Sequence, residues 1–388
     1  MNSKLNKILN IAKEKVPYYQ KIINDDSTLD SLPVINRNDI SQCNQEFINS
    51  DYNSYDLKNM ICLRTSGTST GCPLNVYWKP EDYNRSSYWI WKYRKLWYDI
   101  SPRDRYICFH TYIYSGNRAV NNKLVFREQQ YLSLNALDIN DEKIKMYCEK
   151  IVEFQPVWIQ FLPSIAIKFV EYMKKNNIPP FPFLKYIEYN GETLSEGLRT
   201  EVDCFFGVSS ANLYGSMEVN AIGYECPHKN MQIMSDNVLL EVIENSACVT
   251  SLYNTSMPIV RYDLGDMVDI EKNKCDCTKN EYMIKKVKGR AFKRININGT
   301  MVSEAFAGYC IDQINGYVCN TIKQFKFVEN DNKWKLILFI DKKFNGWKKN
   351  ISLICSEVFK ENDVVIELND IEFTNEPIKN SSKKWSFC

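Results

Sequence analysis

Apolar residues recur at helical spacing over residues 3–16, where Leu5, Ile8, Ile11 and Ala12 share one side and Pro17 stops the run. A polar, turn-rich stretch follows to about Leu63, and residues 74–78 then read as a strand. Over residues 81–98 the spacing of Trp89, Tyr93, Leu96 and Trp97 predicts a helix with those side chains on one face. Beyond it helices and strands alternate. Ile144, Cys148, Ile151 and Val152 mark a helix, residues 157–162 a strand, and Ser164 caps a helix running to about Lys175. Residues 184–189 read as a strand, 195–206 as a helix and 211–214 as a short strand. Such alternation predicts α/β layers in the middle of the chain. Between 238 and 270 the pattern changes to short strands at 238–243, 249–252 and 267–270. The C-terminal part carries strands at 325–328, 335–340 and 364–368, with a helix between about Trp347 and Lys360. Lys288, Gly289 and Arg290 form the best boundary, since a glycine between basic residues ends the strand-rich region. The expected fold class is α/β, with a large domain of layered sheets and helices over 1–288 and a small α+β domain over 289–388.

Composition limits the class without choosing the chemistry. A chain of 388 residues can bury the cores of two or three domains. Its 49 Lys and Arg against 47 Asp and Glu leave a formal charge of +2, which gives no electrostatic reason for a nucleic-acid or membrane partner. No apolar run approaches the roughly 20 residues that span a bilayer, and the first residues open no secretory signal. The expected location is cytoplasmic. The 14 cysteines are scattered, so in a reducing compartment most serve as small buried hydrophobes.

Three segments carry candidate chemistry. Thr65-Ser66-Gly67-Thr68-Ser69-Thr70-Gly71-Cys72-Pro73 can turn tightly and aim backbone N–H groups and hydroxyls at one point, as an anion cradle does. It is not a Walker loop, because no Gly-Lys-Ser/Thr follows, and it reads equally as a Ser/Thr-rich surface loop. Tyr214-Gly215-Ser216-Met217-Glu218 follows a strand; its Tyr can stack on a base and its carboxylate can hold Mg²⁺, although a plain turn has the same composition. In Pro258-Ile259-Val260-Arg261-Tyr262-Asp263-Leu264-Gly265-Asp266, an Asp beyond a Gly turn can bind ribose hydroxyls and an Arg can neutralise phosphate. An ordinary turn with an Arg–Asp surface pair is the alternative.

Their order along the chain, with Asn190-Gly191-Glu192 after a strand and Lys288-Gly289-Arg290 at the end, resembles the adenylate-forming enzyme superfamily, in the branch of phenylacetate–coenzyme A ligases. Val16-Pro17-Tyr18-Tyr19, Leu32-Pro33 and the segment from Val249 to Pro258 are similar to that branch as well, so the resemblance covers nearly the whole chain. It implies an ATP-dependent acid–thiol ligase with a mobile C-terminal domain that turns about residues 289–294. Residues Thr65, Ser66, Gly67, Thr68, Ser69, Thr70 and Gly71 would wrap the β- and γ-phosphates, with Arg290 also at the nucleotide. Gly191 and Glu192 would line the adenine pocket, where Tyr214 stacks on the base beside Gly215 and Ser216. Glu218 would hold Mg²⁺ and Asp266 the ribose.

The resemblance implies Lys384 as the catalytic lysine, with Lys383 as the other choice and two solvated tail lysines as the alternative, in a tail that reads Asn380-Ser381-Ser382-Lys383-Lys384-Trp385 and lacks the family's glycine. The phosphate loop is also one residue longer than the family pattern, which implies weaker ATP affinity. The acid pocket would include His110, Tyr112 and Tyr189, and an aryl acid would suit the rings of Tyr112, Tyr189 and Tyr214, which could stack on it. His110 reads as well as a hydrogen-bonded core histidine. The acyl group would pass to coenzyme A or to a phosphopantetheinyl carrier protein. Transfer to an amine and a non-catalytic nucleotide-binding homologue are the alternatives. Finally, Cys226, His228, Cys275 and Cys277 can supply the Cys₃His set of a structural Zn²⁺ site, with four unrelated loop residues as the alternative; the spacings Cys-x-His and Cys-x-Cys are tight and the family's histidine sits nearer Gln232.

Overall fold

The alternating segments fold into five parallel strands, in spatial order Ser209–Ser216, Tyr186–Asn190, Trp158–Phe161, Tyr106–His110 and Tyr131–Asn135. In the computed structural model these are the middle of a twelve-stranded sheet, so the fold is α/β as the alternation predicts. The structure describes residues 3–64, 74–110, 113–115, 118–120, 125–136, 139–290, 294–298, 300–318, 321–330, 333–340, 342–361, 364–376 and 385–387. Val125–Arg127 closes one edge of the sheet, antiparallel to its neighbour. Asn220–Glu225, Met231–Ile233, Tyr282–Arg290, Tyr262–Lys272, Ser246–Ser251 and Val238–Ile243 extend the other. No helix among the described residues is long and apolar enough to cross a membrane.

Parallel neighbours require crossover connections, which the helices Asp141–Phe154, Pro163–Lys175 and Glu196–Phe206 supply. They cover the sheet face that carries Phe109 and Phe161, where Phe109 meets Tyr147 and Phe169, and Phe161 meets Phe169 and Phe206. Ser164 does not cap its helix. Leu162 is the capping residue and Pro163 opens the first turn, so the free amide of Ser164 and its hydroxyl donate instead to the Glu192 carboxylate, each at 2.8 Å.

The chain divides into two compact units, Met1–Glu192 with Glu201–Val287, and Thr193–Thr200 with Lys288–Cys388. In the second, a four-stranded sheet in the order Ile371–Thr374, Lys333–Ile340, Ile322–Asn330 and Trp385–Phe387 shares a core with the helices Glu304–Tyr317 and Lys348–Glu361. Residues 364–368 form no strand. Val364 and Ile366 are buried, but the parallel partner of Leu336–Phe339 is Ile371–Thr374, so burial there comes without ladder pairing.

The helix Pro80–Tyr98 covers the opposite face of the large sheet, and its inward stripe differs from the aromatic one that the spacing predicts. The side chains buried from it are Asp82, Ser86, Ile90 and Arg94, while Leu96 is 64% exposed and the aromatic residues flank the contact half-buried. Each buried polar group has a specific partner. Asp82 accepts from Thr255, and Ser86 donates to Asn237 at 2.6 Å. Arg94 makes two bonds to Glu188, Nε to Oε2 at 2.8 Å and a terminal nitrogen to Oε1 at 2.6 Å. Its guanidinium carbon lies 4.5 Å from the Trp91 ring and 4.9 Å from the Trp158 ring. Burial opposes the charge, but Glu188 holds the guanidinium above its ordinary value.

Arg94→Met strands the Glu188 carboxylate in the core and is expected to cost about 3–5 kcal/mol of stability, whereas Arg94→Met combined with Glu188→Leu recovers most of it. Urea unfolding followed by tryptophan fluorescence measures both, and a double variant no more stable than the single one contradicts the assignment.

Candidate active site

Ligands of open α/β sheets bind beyond the carboxyl ends of the parallel strands. That edge is formed here by His110, Asn135, Phe161, Asn190 and Ser216, the last residues of the five strands. Asn190 is registered with Leu213, so Gly191 and Glu192 leave their strand alongside Tyr214, Gly215 and Ser216. Gly191 turns out of the strand at φ +74°, a conformation that favours glycine. The Glu192 carboxylate is engaged by Ser164, which ties this turn to the start of a crossover helix.

Gly215 answers to a different constraint. The pairing of Ser209–Ser216 with Asn220–Glu225 shifts register between Tyr214 and Gly215, and a Cβ there would sit 2.7 Å from the Asn220 carbonyl oxygen. The Tyr214 hydroxyl donates to Asp266 Oδ2 at 2.9 Å, which joins the second and third sequence motifs directly. Ser216 Oγ is buried and has no hydrogen-bond partner among the described residues. Glu218, on the turn that follows, is buried. Its Oε1 accepts from Tyr262 at 3.2 Å and lies 4.0 Å from the Arg37 guanidinium, while no described residue bonds Oε2.

The third motif behaves differently from its sequence reading at Arg261. That residue adopts φ +47°, donates to the Asp30 and Leu32 carbonyls and pairs with Glu241 at 3.1 Å, so its charge is spent on anchoring the N-terminal segment. The same segment contributes Tyr19, which accepts from Val260 N, and Ile35, which bridges to Tyr262. Asp263 accepts from Gly265 N at 2.8 Å and shapes the turn before Asp266.

His110 and Tyr189 lie on opposite faces of the sheet. Burial lowers the His110 pKa and keeps the imidazole neutral. Tyr189 is fully buried on the crossover-helix side, where its hydroxyl donates to Asp203 at 2.8 Å, so its ring is not brought to the edge that holds His110. Thr65, Ser66, Gly67, Thr68, Ser69, Thr70, Gly71, Tyr112, Lys383 and Lys384 lie outside the described residues. The strands flanking the first group, Ile61–Arg64 and Asn75–Trp78, pair with each other, and Trp385, next after Lys384, pairs with Phe325. Arg290 ends the strand Tyr282–Arg290.

The sequence reading missed Gln160 and the part Arg37 and Glu188 play. A signal existed, since a lone Gln and a lone Glu interrupt the apolar strands Trp158–Phe161 and Tyr186–Asn190 at registered positions.

A second cluster sits on two loops at the strands Asn220–Glu225 and Tyr262–Lys272. The ligand atoms of Cys226, His228, Cys275 and Cys277 all lie within 4.8 Å of one another. Cys226 and Cys275 sulfurs are 3.7 Å apart, and His228 Nδ1 is 3.4 Å from the sulfurs of both Cys275 and Cys277. Tetrahedral zinc with ordinary bond lengths separates two sulfurs by about 3.8 Å and sulfur from nitrogen by about 3.5 Å, so this donor set fits that ion. Burial works to raise the Cys275 thiol, yet hydrogen bonds from His228, Cys277 and Cys226 bring it down to about 7. Burial and the neighbouring thiols push Cys277 up to about 12. Gln232 lies away from the cluster and bonds Asn273 and Thr278, bracing the second loop.

No protein-family model matches the chain. It is 23% identical over 360 residues to Protein CapK of Staphylococcus aureus, covering 85% of this chain and 75% of that protein. A phenylacetate-coenzyme A ligase of Thermus thermophilus is 28% identical over 169 residues, 39% of this chain and 38% of the ligase. Among solved structures, 2-hydroxyisobutyryl-CoA ligase in its postadenylation state superimposes with a TM-score of 0.75 at 14% identity, over 98% of this chain and 86% of that one. The likeness to a phenylacetate–coenzyme A ligase that the motifs imply is borne out in sequence, and the chain shares its fold with 2-hydroxyisobutyryl-CoA ligase.

Proposed function

We propose that this chain uses ATP to activate a carboxylic acid as an acyl-adenylate and then passes the acyl group to the thiol of coenzyme A or of a phosphopantetheinyl carrier protein. The observation that carries the reading is the direct bond from Tyr214 to Asp266, with Gly191 and Ser216 beside it at the carboxyl edge of the parallel strands. Residues distant in sequence and of the types that hold a base and a ribose meet there. The fold and the relatives support it.

In this reading the acid's carboxylate oxygen attacks the α-phosphorus of ATP, the bond from that phosphorus to the β-phosphate oxygen breaks, and pyrophosphate leaves. The protein's part is positioning and charge neutralisation. Tyr214 lies against the base, held in place by its bond to Asp266, and Asp266 takes the ribose hydroxyls. Gly191 leaves room beside the adenine, and Ser216 Oγ, buried without a partner among the described residues, donates to the nucleotide. Residues 65–71 contact the β- and γ-phosphates and Arg290 the nucleotide. Glu218, whose Oε2 no described residue bonds, would hold Mg²⁺, which would supply neutralisation of phosphate charge. Lys384 bridges the acid's carboxylate and the α-phosphate, and thiol attack on the acyl carbonyl then releases AMP. Cys226, His228, Cys275 and Cys277 hold a structural zinc ion that ties the two loops.

Acid-dependent exchange of labelled pyrophosphate into ATP tests the first half-reaction. Exchange with at least one acid is expected, and Lys384→Ala is expected to cut its rate by at least about 100-fold with ATP binding nearly unchanged. A panel of aryl and short aliphatic acids that gives none overturns the reading, and loss with Lys383→Ala instead moves the catalytic lysine by one residue.

For the metal, protein purified without added zinc is expected to carry close to one zinc per chain by elemental analysis, and Cys275→Ser to lose most of it. Metal-free protein of full stability contradicts the assignment.

A further inference from the structure

The sheet face under the helix Pro80–Tyr98 turns polar towards its carboxyl edge. Registered neighbours on parallel strands share a face, so Ser133, Cys108, Gln160 and Glu188 form one row across the sheet. His110, Asn135 and Asn190 stand two residues further along and therefore on that same face, past the point where Arg94 meets Glu188.

Much of the hydrogen-bonding capacity in this region is not used by the described protein. Gln160 Nε2 donates to Glu188 Oε1 at 2.6 Å, and its amide oxygen meets no described donor. The Asn190 side-chain amide and both ring nitrogens of His110 have no hydrogen-bond partner among the described residues. A neutral imidazole offers one donor and one acceptor, and an amide offers both as well. A buried polar group left unpaired costs on the order of 1–3 kcal/mol, so a ligand that pairs with these groups gains over one that covers them with apolar surface.

We propose that the acid activated here carries hydroxyl or amino groups of its own, and that His110, Gln160 and Asn190 select for them. The proposal rests on the adenylate-forming reading and names the class of acid that reading leaves open. The ring or alkyl skeleton is secondary to the hydrogen-bonding substituents, because an apolar wall discriminates one skeleton from another weakly, whereas a site built to bond a hydroxyl rejects the analogue lacking it strongly.

Pyrophosphate exchange with matched acids tests this: benzoate against its hydroxy and amino derivatives, and isobutyrate against its 2-hydroxy derivative. The substituted member of the better-used set is expected to show kcat/KM at least about tenfold above its unsubstituted partner. His110→Phe and Asn190→Leu are expected to bring that ratio towards one, an effect a merely structural role does not produce. Equal or better use of the unsubstituted acids, or a ratio unmoved in both variants, overturns the inference and leaves the adenylate-forming reading standing. Absence of exchange with every acid overturns both.

Discussion

The Arg94 guanidinium reaches from the helix Pro80–Tyr98 into the large sheet, where two bonds fix it to a fully buried Glu188. Two charges taken out of water must stay together, because separating them by even a small slide of the helix leaves one uncompensated. The pair therefore sets where the helix lies on the sheet. Gln160 joins it from the neighbouring strand, and the Trp91 and Trp158 rings close over it. His110, Asn190 and the Tyr214–Ser216 segment project beyond the pair at the edge where parallel strands present ligands.

A second constraint fixes the other wall of the site. The N-terminal segment is laced to the strand Tyr262–Lys272 through Tyr19, Ile35 and Arg261, and its Arg37 is buried against Glu218. Asp266 is thereby held where Tyr214 can bond it. The bond between Tyr214 and Asp266 thus depends on contacts such as Tyr19 with Val260 and Ile35 with Tyr262, more than two hundred residues apart in sequence, which no local pattern reveals.

How much was legible in the sequence follows from this distinction. The crossover helices announce themselves by period, because each buries one apolar face, and the strands Trp158–Phe161 and Val238–Ile243 as short apolar runs. The helix Pro80–Tyr98 has the right length, but its most buried stripe is Asp82, Ser86, Ile90 and Arg94, which periodicity misses because it counts only apolar residues; of the expected aromatic stripe Trp97 stacks on Tyr224 while Leu96 is exposed. Residues 364–368 look like a strand because Val364 and Ile366 are buried, yet burial does not require a ladder partner. Among candidate site residues, Tyr214, Gly215, Ser216 and Asp266 are named by their motifs and lie together, whereas Arg261 reads as a phosphate ligand and is a structural anchor. Cys226, His228, Cys275 and Cys277 stand out by residue type and by the family resemblance, and only the fold brings their ligand atoms within 4.8 Å of one another.

The central claim is that the acid's carboxylate attacks the α-phosphorus of ATP. It is tested most directly by supplying an acid labelled with ¹⁸O in both carboxylate oxygens, together with ATP, Mg²⁺ and coenzyme A, and weighing the nucleotide product. The account predicts AMP carrying one labelled oxygen, since the bridging oxygen of the acyl-adenylate stays with phosphorus when the thiol takes the acyl group. Unlabelled AMP, or ADP as the nucleotide product, would contradict it.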